Sequence, residues 1–328
     1  MKRREIICIL PLFLIAAALA SCGPTTPPGP APPGAAQPVD TFAAGSPAAG
    51  FPLTLTDGLG REVHVDAPPQ RIISLAPVNT EVLFAVGAGD RVVGVTSYCN
   101  YPSEAQSREK VGGFSPNTIN VETVVALRPD LVLCVGEIHR PTIETLEGIG
   151  LPVAALTAGS LADIYANIEL VGRLTGHEAE AARVVAGMRK RVDAVAAAVA
   201  PLPPRERLRV FWETWDEPLM TAGPSTFIGQ AIELAGGINI FSEVTEDYPQ
   251  VSVEEVVRRN PAVILGPDTH GDKLLPERIA QRPGWEQIDA VRNRRIHLID
   301  GDIVSRPGPR LAEGIEAIAR ALYPNMFE

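Results

Sequence analysis

One stretch of this chain occurs twice, and that repeat constrains the fold more than any other feature. Residues 120–133 (NVETVVALRPDLVL) align without gaps on residues 252–265 (SVEEVVRRNPAVIL). The identical pairs are Val121/Val253, Glu122/Glu254, Val124/Val256, Val125/Val257, Pro129/Pro261 and Leu133/Leu265. Each copy predicts a capping residue, a short helix, a proline break and a buried strand. The repeat therefore predicts two related lobes that each use this unit once.

Short β-branched runs alternate with helical stretches on both sides of the chain's middle. The pattern predicts a hairpin over residues 51–65, then strands at 71–76, 91–96, 130–135, 151–156, 208–213, 262–265 and 296–300. It also predicts a helix over residues 80–86. Strands that alternate with helices are typical of parallel sheets. We therefore predict an α/β fold of two Rossmann-like lobes with mainly parallel sheets.

The middle of the chain, residues 160–200, has no strand signal and predicts two helices divided at Thr175-Gly176. The second helix, over residues 177–200, stops at a run of prolines. A long helix between lobes predicts limited opening, because hinges that open widely are built from loops. The predicted organisation is a first lobe at residues 51–159, linking helices at 160–204 and a second lobe at 205–328.

The N-terminal 50 residues have a different character. Three basic residues precede an apolar run of about 15 residues, which is too short to span a bilayer and is typical of a secretion signal. The run ends in Leu19-Ala20-Ser21-Cys22, which resembles the lipobox of bacterial lipoproteins. The alternative is an ordinary signal peptide with Cys22 incidental. We predict a signal at residues 1–22 with Cys22 lipidated, then a disordered Pro/Gly/Ala tether at 23–50 that anchors an extracytoplasmic protein to the membrane.

Composition excludes several classes of protein. Lys and Arg total 29 against 39 for Asp and Glu, a formal charge of −10, and an acidic chain repels nucleic acid. The 4 cysteines are too few for a disulfide scaffold. Cys99 and Cys134 end different predicted strands, so we do not expect a disulfide between them.

The repeated glutamates, Glu122 and Glu254, occupy the second position of their predicted helices. A carboxylate there stabilises the helix dipole, which is the simplest explanation. Glu255 is the expected partner of Ser252 in a capping box, which leaves Glu254 without that role. Two exposed carboxylates at equivalent points could instead engage a partner with two-fold symmetry.

Several motifs resemble the substrate-binding proteins of metal-chelate ABC importers. They are SLAPVNTE (residues 74–81), TSYCNYP (96–102), LRPDLVL (127–133), AGGINIF (235–241) and PQVSVE (249–254). The similarity extends from Arg71 to Tyr323 and is closest to the cobalamin-binding branch. At Val135, Ile303 and Val304 this chain lacks the aromatic residues of that branch.

The resemblance implies the class III periplasmic-binding-protein fold, with ligand held in the cleft between two lobes joined by a long rigid helix. It also implies that Glu122 and Glu254 dock onto arginines of a permease dimer, which works with ATPase subunits. The protein would act as a monomer, without an intrinsic cofactor or metal, and would catalyse no reaction.

Ligands of parallel α/β sheets lie beyond the carboxyl ends of the strands. The loops expected there are residues 77–80, 97–102, 136–139, 215–220, 268–273 and 301–306. Aromatic residues in or near these loops and the repeat helices suit a large conjugated ligand, and the candidates are Tyr98, Phe114, Trp215 and Tyr248. The family resemblance favours Tyr98 and Tyr248 and adds Asp302 and Arg306 as a polar pair. Packing beneath the loops is the alternative role for each aromatic.

The histidines, His64, His139, His177, His270 and His297, lack zinc-ligand spacing. His139 and His270 fall in cleft loops, where either could ligate iron or cobalt, but we expect surface positions for both. The leading hypothesis is a lipoprotein that captures cobalamin or a related corrinoid for an ABC permease. A ferric siderophore or haem is the alternative ligand. An extracytoplasmic enzyme using Asp302, His270 or Glu122 is a remote alternative, since no nucleophile–base motif is present.

Overall fold

The computed structural model describes residues 50–269 and 275–327. The predicted signal, Cys22, the predicted tether up to residue 49, and the loop residues 270–274 lie outside the described residues. Two strands, β1 (Leu53–Thr56) and β2 (Glu62–Val65), form the predicted antiparallel hairpin. No helix within the described ranges combines the length and apolar character that crossing a bilayer requires.

A parallel sheet occupies the first lobe, which we define as residues 50–159. Its strands are β3 (Ile72–Ser74), β4 (Val92–Val95), β5 (Glu109–Lys110), β6 (Leu131–Val135) and β7 (Val153–Leu156), in the order β5-β4-β3-β6-β7. Its helices are α1 (Pro77–Ala85), α2 (Val121–Ala126) and α3 (Arg140–Gly148). β3 and most of β6 are buried, as expected for strands covered on both faces.

The linking region consists of α4 (Leu161–Thr175) and α5 (Glu178–Val199), close to the predicted bounds. Ser160 and Asp163 form a reciprocal capping box at the start of α4. At 22 residues, α5 is about 33 Å long.

The second lobe, residues 205–327 without 270–274, contains another parallel sheet. Its strands are β8 (Arg209–Trp212), β11 (Ile238–Asn239), β12 (Val263–Pro267) and β13 (Ile296–Ile299), in the order β11-β8-β12-β13, and a hairpin of β9 (Trp215–Asp216) and β10 (Leu219–Met220) follows β8. Its helices are α6 (Phe227–Leu234), α7 (Val253–Arg259), α8 (Pro276–Ala280), α9 (Asp289–Arg292), α10 (Gly301–Val304) and α11 (Leu311–Leu322). The predicted α/β architecture of two parallel-sheet lobes is confirmed.

The sequence repeat corresponds to a structural repeat. Asn120 and Ser252 cap α2 and α7 by accepting a hydrogen bond from a backbone N–H three residues on. Arg128 and Asn260, which precede the equivalent prolines, both have positive φ, 48° and 43°. The unit then enters β6 in the first lobe and β12 in the second, each beside the first strand of its sheet.

Two details differ from the sequence predictions. Helix α1 begins at Pro77 rather than Thr80, because proline fits the first helical turn and Ala76 is already extended. Asn79 and Thr80 are consequently buried helical residues rather than parts of a ligand loop. The sequence pattern did not predict the two-residue strands β5, β9, β10 and β11, because two residues are too few to show an alternation of apolar and polar side chains.

Candidate functional site

A cavity of about 680 Å³ lies between the lobes. The residues that line it come from both lobes: Ala76, Pro77, Val78, Ser97, Tyr98, Gly113, Phe114, Ser115, Thr118 and Val135 from the first, and Thr269, Ser305, Arg306 and Pro307 from the second. In the first lobe the chain order reverses between β3 and β6, and Ala76 and Val135 lie at the carboxyl ends of these strands. Ligands of α/β sheets bind at such switch points, and the volume is typical of small-molecule sites.

Three of the predicted ligand residues line this cavity. Tyr98 is 60% exposed, Phe114 is half-buried, and Arg306 is the third of these lining residues. Asp302 lies next to the cavity, with its Oδ1 2.6 Å from Nη2 of Arg306. The predicted polar pair of Asp302 and Arg306 therefore exists as an ion pair.

The other two predicted aromatics, Trp215 and Tyr248, do not line this cavity. They belong to a corner of the second lobe just beyond β8, where Met220 pairs with Trp215 and also forms a bridge with Gln250. Each of the two residues as a whole is more than one-third exposed. Burial, together with the Asp247 carboxylate, raises the pKa of Tyr248 to about 12, so its phenol stays a neutral hydrogen-bond donor.

A buried carboxylate joins the two lobes beside the cavity. Glu81 on α1 has a side chain only 1% exposed and accepts hydrogen bonds from two arginines of the second lobe. Arg310 donates from Nε and Nη2 to the two carboxylate oxygens at 2.9 and 2.7 Å, and Arg306 donates from Nη1 at 2.9 Å. Sequence analysis missed Glu81, although an acidic residue next to the buried Val82 and Leu83 was a signal that it needed a partner.

Asn100 extends this set of contacts. It accepts from Arg306 Nη1 at 2.7 Å and donates from Nδ2 to Asp302 Oδ2 at 2.7 Å. We call Glu81, Asn100, Asp302, Arg306 and Arg310 the interlobe cluster. It contains two carboxylates and two guanidinium groups, so its formal charge is zero. Arg306 is the charged residue among the described cavity-lining residues, and its charge is compensated by the cluster.

His139 is fully buried, which corrects the prediction of a surface histidine. Its Nδ1 accepts from the Val135 N–H at 3.1 Å, and its Nε2 lies 2.7 Å from the Phe114 carbonyl oxygen. Both ring nitrogens are therefore occupied and neither can ligate a metal. His270 lies outside the described residues. Elsewhere in the described ranges there is no group of three or more His, Cys, Asp or Glu placed to hold a metal ion.

The two candidate cysteines, Cys99 and Cys134, are both buried and are not joined to each other. The Cys99 sulfur receives a hydrogen bond from Thr80 Oγ1 at 3.1 Å. Burial raises the pKa of the Cys134 thiol to about 12. A thiol with so high a pKa is a poor nucleophile at neutral pH.

The repeated glutamates, Glu122 and Glu254, are exposed on the first turns of α2 and α7. Neither has an ion-pair partner among residues 50–269 and 275–327. The expected capping box at Ser252 is incomplete, because the Glu255 carboxylate does not return to the helix start. It accepts hydrogen bonds from Arg258 and Arg259 instead, at 3.2 and 2.8 Å.

Comparison with known proteins places this architecture in a family. Residues 72–303 match the family described as periplasmic binding protein. An uncharacterized ABC transporter substrate-binding lipoprotein of Bacillus subtilis is 34% identical, over 85% of this chain and 88% of that protein. A cobalamin-binding protein of Halobacterium salinarum is 34% identical, over 95% of this chain and 84% of that one.

A solved structure supports the same relationship. The periplasmic vitamin B12 binding protein BtuF of Vibrio cholerae superposes with a TM-score of 0.65 at 27% identity, covering 80% of this chain and 99% of that one. The family resemblance drawn from the sequence motifs is thereby confirmed. The chain belongs to the periplasmic binding protein family.

Proposed function

We propose that this protein is the substrate-binding subunit of an ABC importer, and that it captures cobalamin or a related corrinoid between its lobes. The observation that carries the proposal is the cavity at the carboxyl ends of the strands, built from both lobes. Relatives named as cobalamin-binding and vitamin B12-binding proteins support the choice of ligand. Capture and delivery require no reaction, so the protein acts as a carrier and not as an enzyme.

The charge of the cavity wall favours a ligand without a large net charge. Arg306 is already paired with Glu81 and Asp302, so an anionic ligand would have to compete with two carboxylates for it. Displacing an existing ion pair inside a partly desolvated site returns little net binding energy. Cyanocobalamin presents a broad apolar face and amides and is neutral overall, because the charge of the cobalt centre balances its phosphodiester, whereas haem and many ferric siderophores carry carboxylates or other anions. Haem and ferric siderophores are the ligands of the alternative proposal.

Different cavity residues would contact different parts of such a ligand. Tyr98 and Phe114 offer aromatic surface to a flat macrocycle, and Ser97, Ser115 and Thr118 offer hydroxyl groups to amides. Trp215 and Tyr248 would contact the part of a large ligand that extends past the cavity toward the second lobe. Asp302 and Arg306 would contribute their remaining hydrogen-bonding capacity at the rim.

Calorimetric titration of the protein with cyanocobalamin is expected to show binding. Tyr98→Ala or Tyr248→Ala should weaken it by about 1–3 kcal/mol, because each removes an aromatic anchor. Ile149→Ala, which removes an exposed apolar side chain outside the lining set, should leave the affinity unchanged. Parallel titrations with haem and with a ferric hydroxamate complete the comparison. Binding of either of these without any corrinoid binding would transfer the proposal to the alternative ligand class.

Delivery requires a membrane partner, which we take to be a permease dimer with its ATPase subunits. Glu122 and Glu254 are the proposed docking residues, one on each lobe, because both are exposed and lie at equivalent points of the repeat. The protein is proposed to work as a monomer on the outer side of the membrane, held there by lipidated Cys22.

The lipid anchor is tested by Cys22→Ser, which removes the thiol that would be lipidated. The variant is expected to leave the membrane fraction, since a tether without acyl chains has no affinity for a bilayer. Fractionation, with mass spectrometry of the N-terminal peptide, measures this. Cys99→Ser, which alters a buried cysteine of the first lobe, is the control and should stay with the membrane. Unlipidated wild-type protein in the soluble fraction would contradict the assignment.

A further inference from the structure

His139 does not line the cavity, but it forms hydrogen bonds with two residues that do, Val135 and Phe114. Val135 ends β6, and Phe114 belongs to the segment 112–119, whose ends pair through a bridge between Gly112 and Ile119. This segment supplies Gly113, Phe114, Ser115 and Thr118 to the cavity. Gly136, with φ of 25°, makes the turn that brings His139 back toward the end of the strand.

The hydrogen bonds of His139 define its tautomer. Nδ1 accepts from the Val135 N–H, so it carries no proton, and Nε2 must then carry the proton that it donates to the Phe114 carbonyl. The ring also packs against the Phe114 ring, with centroids 5.2 Å apart and planes inclined at 57°. One neutral imidazole thus holds both walls through backbone and ring contacts.

We propose that His139 is a positioning residue that fastens the segment 112–119 to the end of β6 and so sets the shape of the ligand cavity. Its effect on ligand affinity rests on the proposed function, whereas its effect on the segment does not. The role requires the neutral ring, since a protonated Nδ1 cannot accept from Val135.

The surroundings determine how the ring responds to pH. On its own turn, Glu137 and Arg140 form a surface ion pair with each other, and Glu144 is exposed one turn further along α3. Cys134 on β6 is neutral, and residues 112–119 contain no charged side chain. Burial lowers the pKa of His139 below its ordinary value of 6.5. Burial therefore disfavours protonation of the His139 ring. As the pH falls below about 6.5, protonation competes with the hydrogen bond from the Val135 N–H and weakens the attachment of residues 112–119 to β6.

The first measurement needs no ligand. His139→Phe keeps an aromatic ring but leaves the Val135 N–H and the Phe114 carbonyl without their partner. At pH 7 the amides of residues 112–119 are expected to exchange hydrogen at least about tenfold faster than in the wild type, while amides of β12 keep their rates. Unchanged exchange in residues 112–119 would overturn the proposal.

The second measurement is the Kd for cyanocobalamin between about pH 7.5 and 5.5, the range in which the charge of a histidine changes. The wild-type Kd should rise as the pH falls, and His139→Phe should bind about tenfold more weakly at pH 7 with a flat profile. His297→Asn is the matched control, because the pKa of His297 is also lowered, by burial and by Arg295. It should keep the wild-type profile.

The possible outcomes distinguish the role of His139 from the identity of the ligand. A flat wild-type profile, or a profile abolished by His297→Asn instead, would overturn the role of His139. Faster exchange of residues 112–119 without any cyanocobalamin binding would refute the corrinoid and support the fastening. If His139→Phe does not fold, the wild-type and His297→Asn profiles decide the question.

Discussion

Replacing Glu122 and Glu254 together by lysine is expected to abolish uptake of cyanocobalamin by cells while leaving its affinity for the binding protein unchanged. Both carboxylates are exposed on short helices, and neither lines the cavity. A carboxylate desolvated against an arginine of a partner costs about 2–5 kcal/mol when the pair is broken, which is at least about 30-fold in docking affinity for each lobe. Reversal of the charge adds repulsion to this loss.

The controls distinguish docking from helix stability. Glu144→Lys on α3 and Glu277→Lys on α8 make the same charge change at exposed helical positions, one in each lobe, and should support normal uptake. A carboxylate that only favours a helix dipole contributes under about 1 kcal/mol to stability. Normal uptake by the double variant, accompanied only by a lower melting temperature, would therefore assign Glu122 and Glu254 to capping and remove the docking proposal.

The sequence was informative where structure depends on local spacing. The repeat predicted the cap, helix, proline and strand of both lobes, because capping and burial act over a few residues. Tyr98, expected in the loop after β4, and Phe114, expected before the first repeat helix, both line the cavity. The predicted bounds of α4 and α5 held for the same reason, since Thr175-Gly176 and the prolines after residue 200 act on adjacent turns.

Contacts between distant residues were not predictable from spacing. Glu81 and Arg306 are 225 positions apart, and no periodic pattern links them. His139 was expected at the surface of a cleft loop, yet the chain turns at Gly136 and the His139 ring is buried. Trp215 was expected in a loop that follows a strand, and Tyr248 was expected just before the second repeat helix. Trp215 instead belongs to the β9–β10 hairpin, and neither residue lines the cavity.

Glu81→Gln is expected to lower the free energy of unfolding by about 3 kcal/mol or more, because breaking a buried ion pair leaves an uncompensated charge. The change preserves side-chain shape but leaves Arg310 without a side-chain carboxylate and Arg306 with Asp302 alone. The lobes also approach closely here, since a Cβ on Gly308 would lie 3.0 Å from Cγ2 of Val78. Urea denaturation of the wild type and the variant measures the difference.

Glu316→Gln is the matched control for this prediction. Glu316 pairs with Arg191 between α5 and α11, but the two side chains are 28% and 41% exposed. Solvent screening limits such a pair to about 1 kcal/mol or less. Equal small losses in Glu81→Gln and Glu316→Gln would show that burial of the interlobe cluster adds nothing to stability.

A double-mutant cycle then tests whether Arg310 is the partner that makes Glu81 stabilising. Arg310→Gln alone leaves the Glu81 carboxylate, which is 1% exposed, with Arg306 as its remaining arginine. Removing both charges eliminates the uncompensated partner, so the double variant should be more stable than the sum of the single losses predicts, by about 1–3 kcal/mol. Simple additivity would mean that the two lobes are held together at this point by packing of α1 against the second lobe and not by the ion pair.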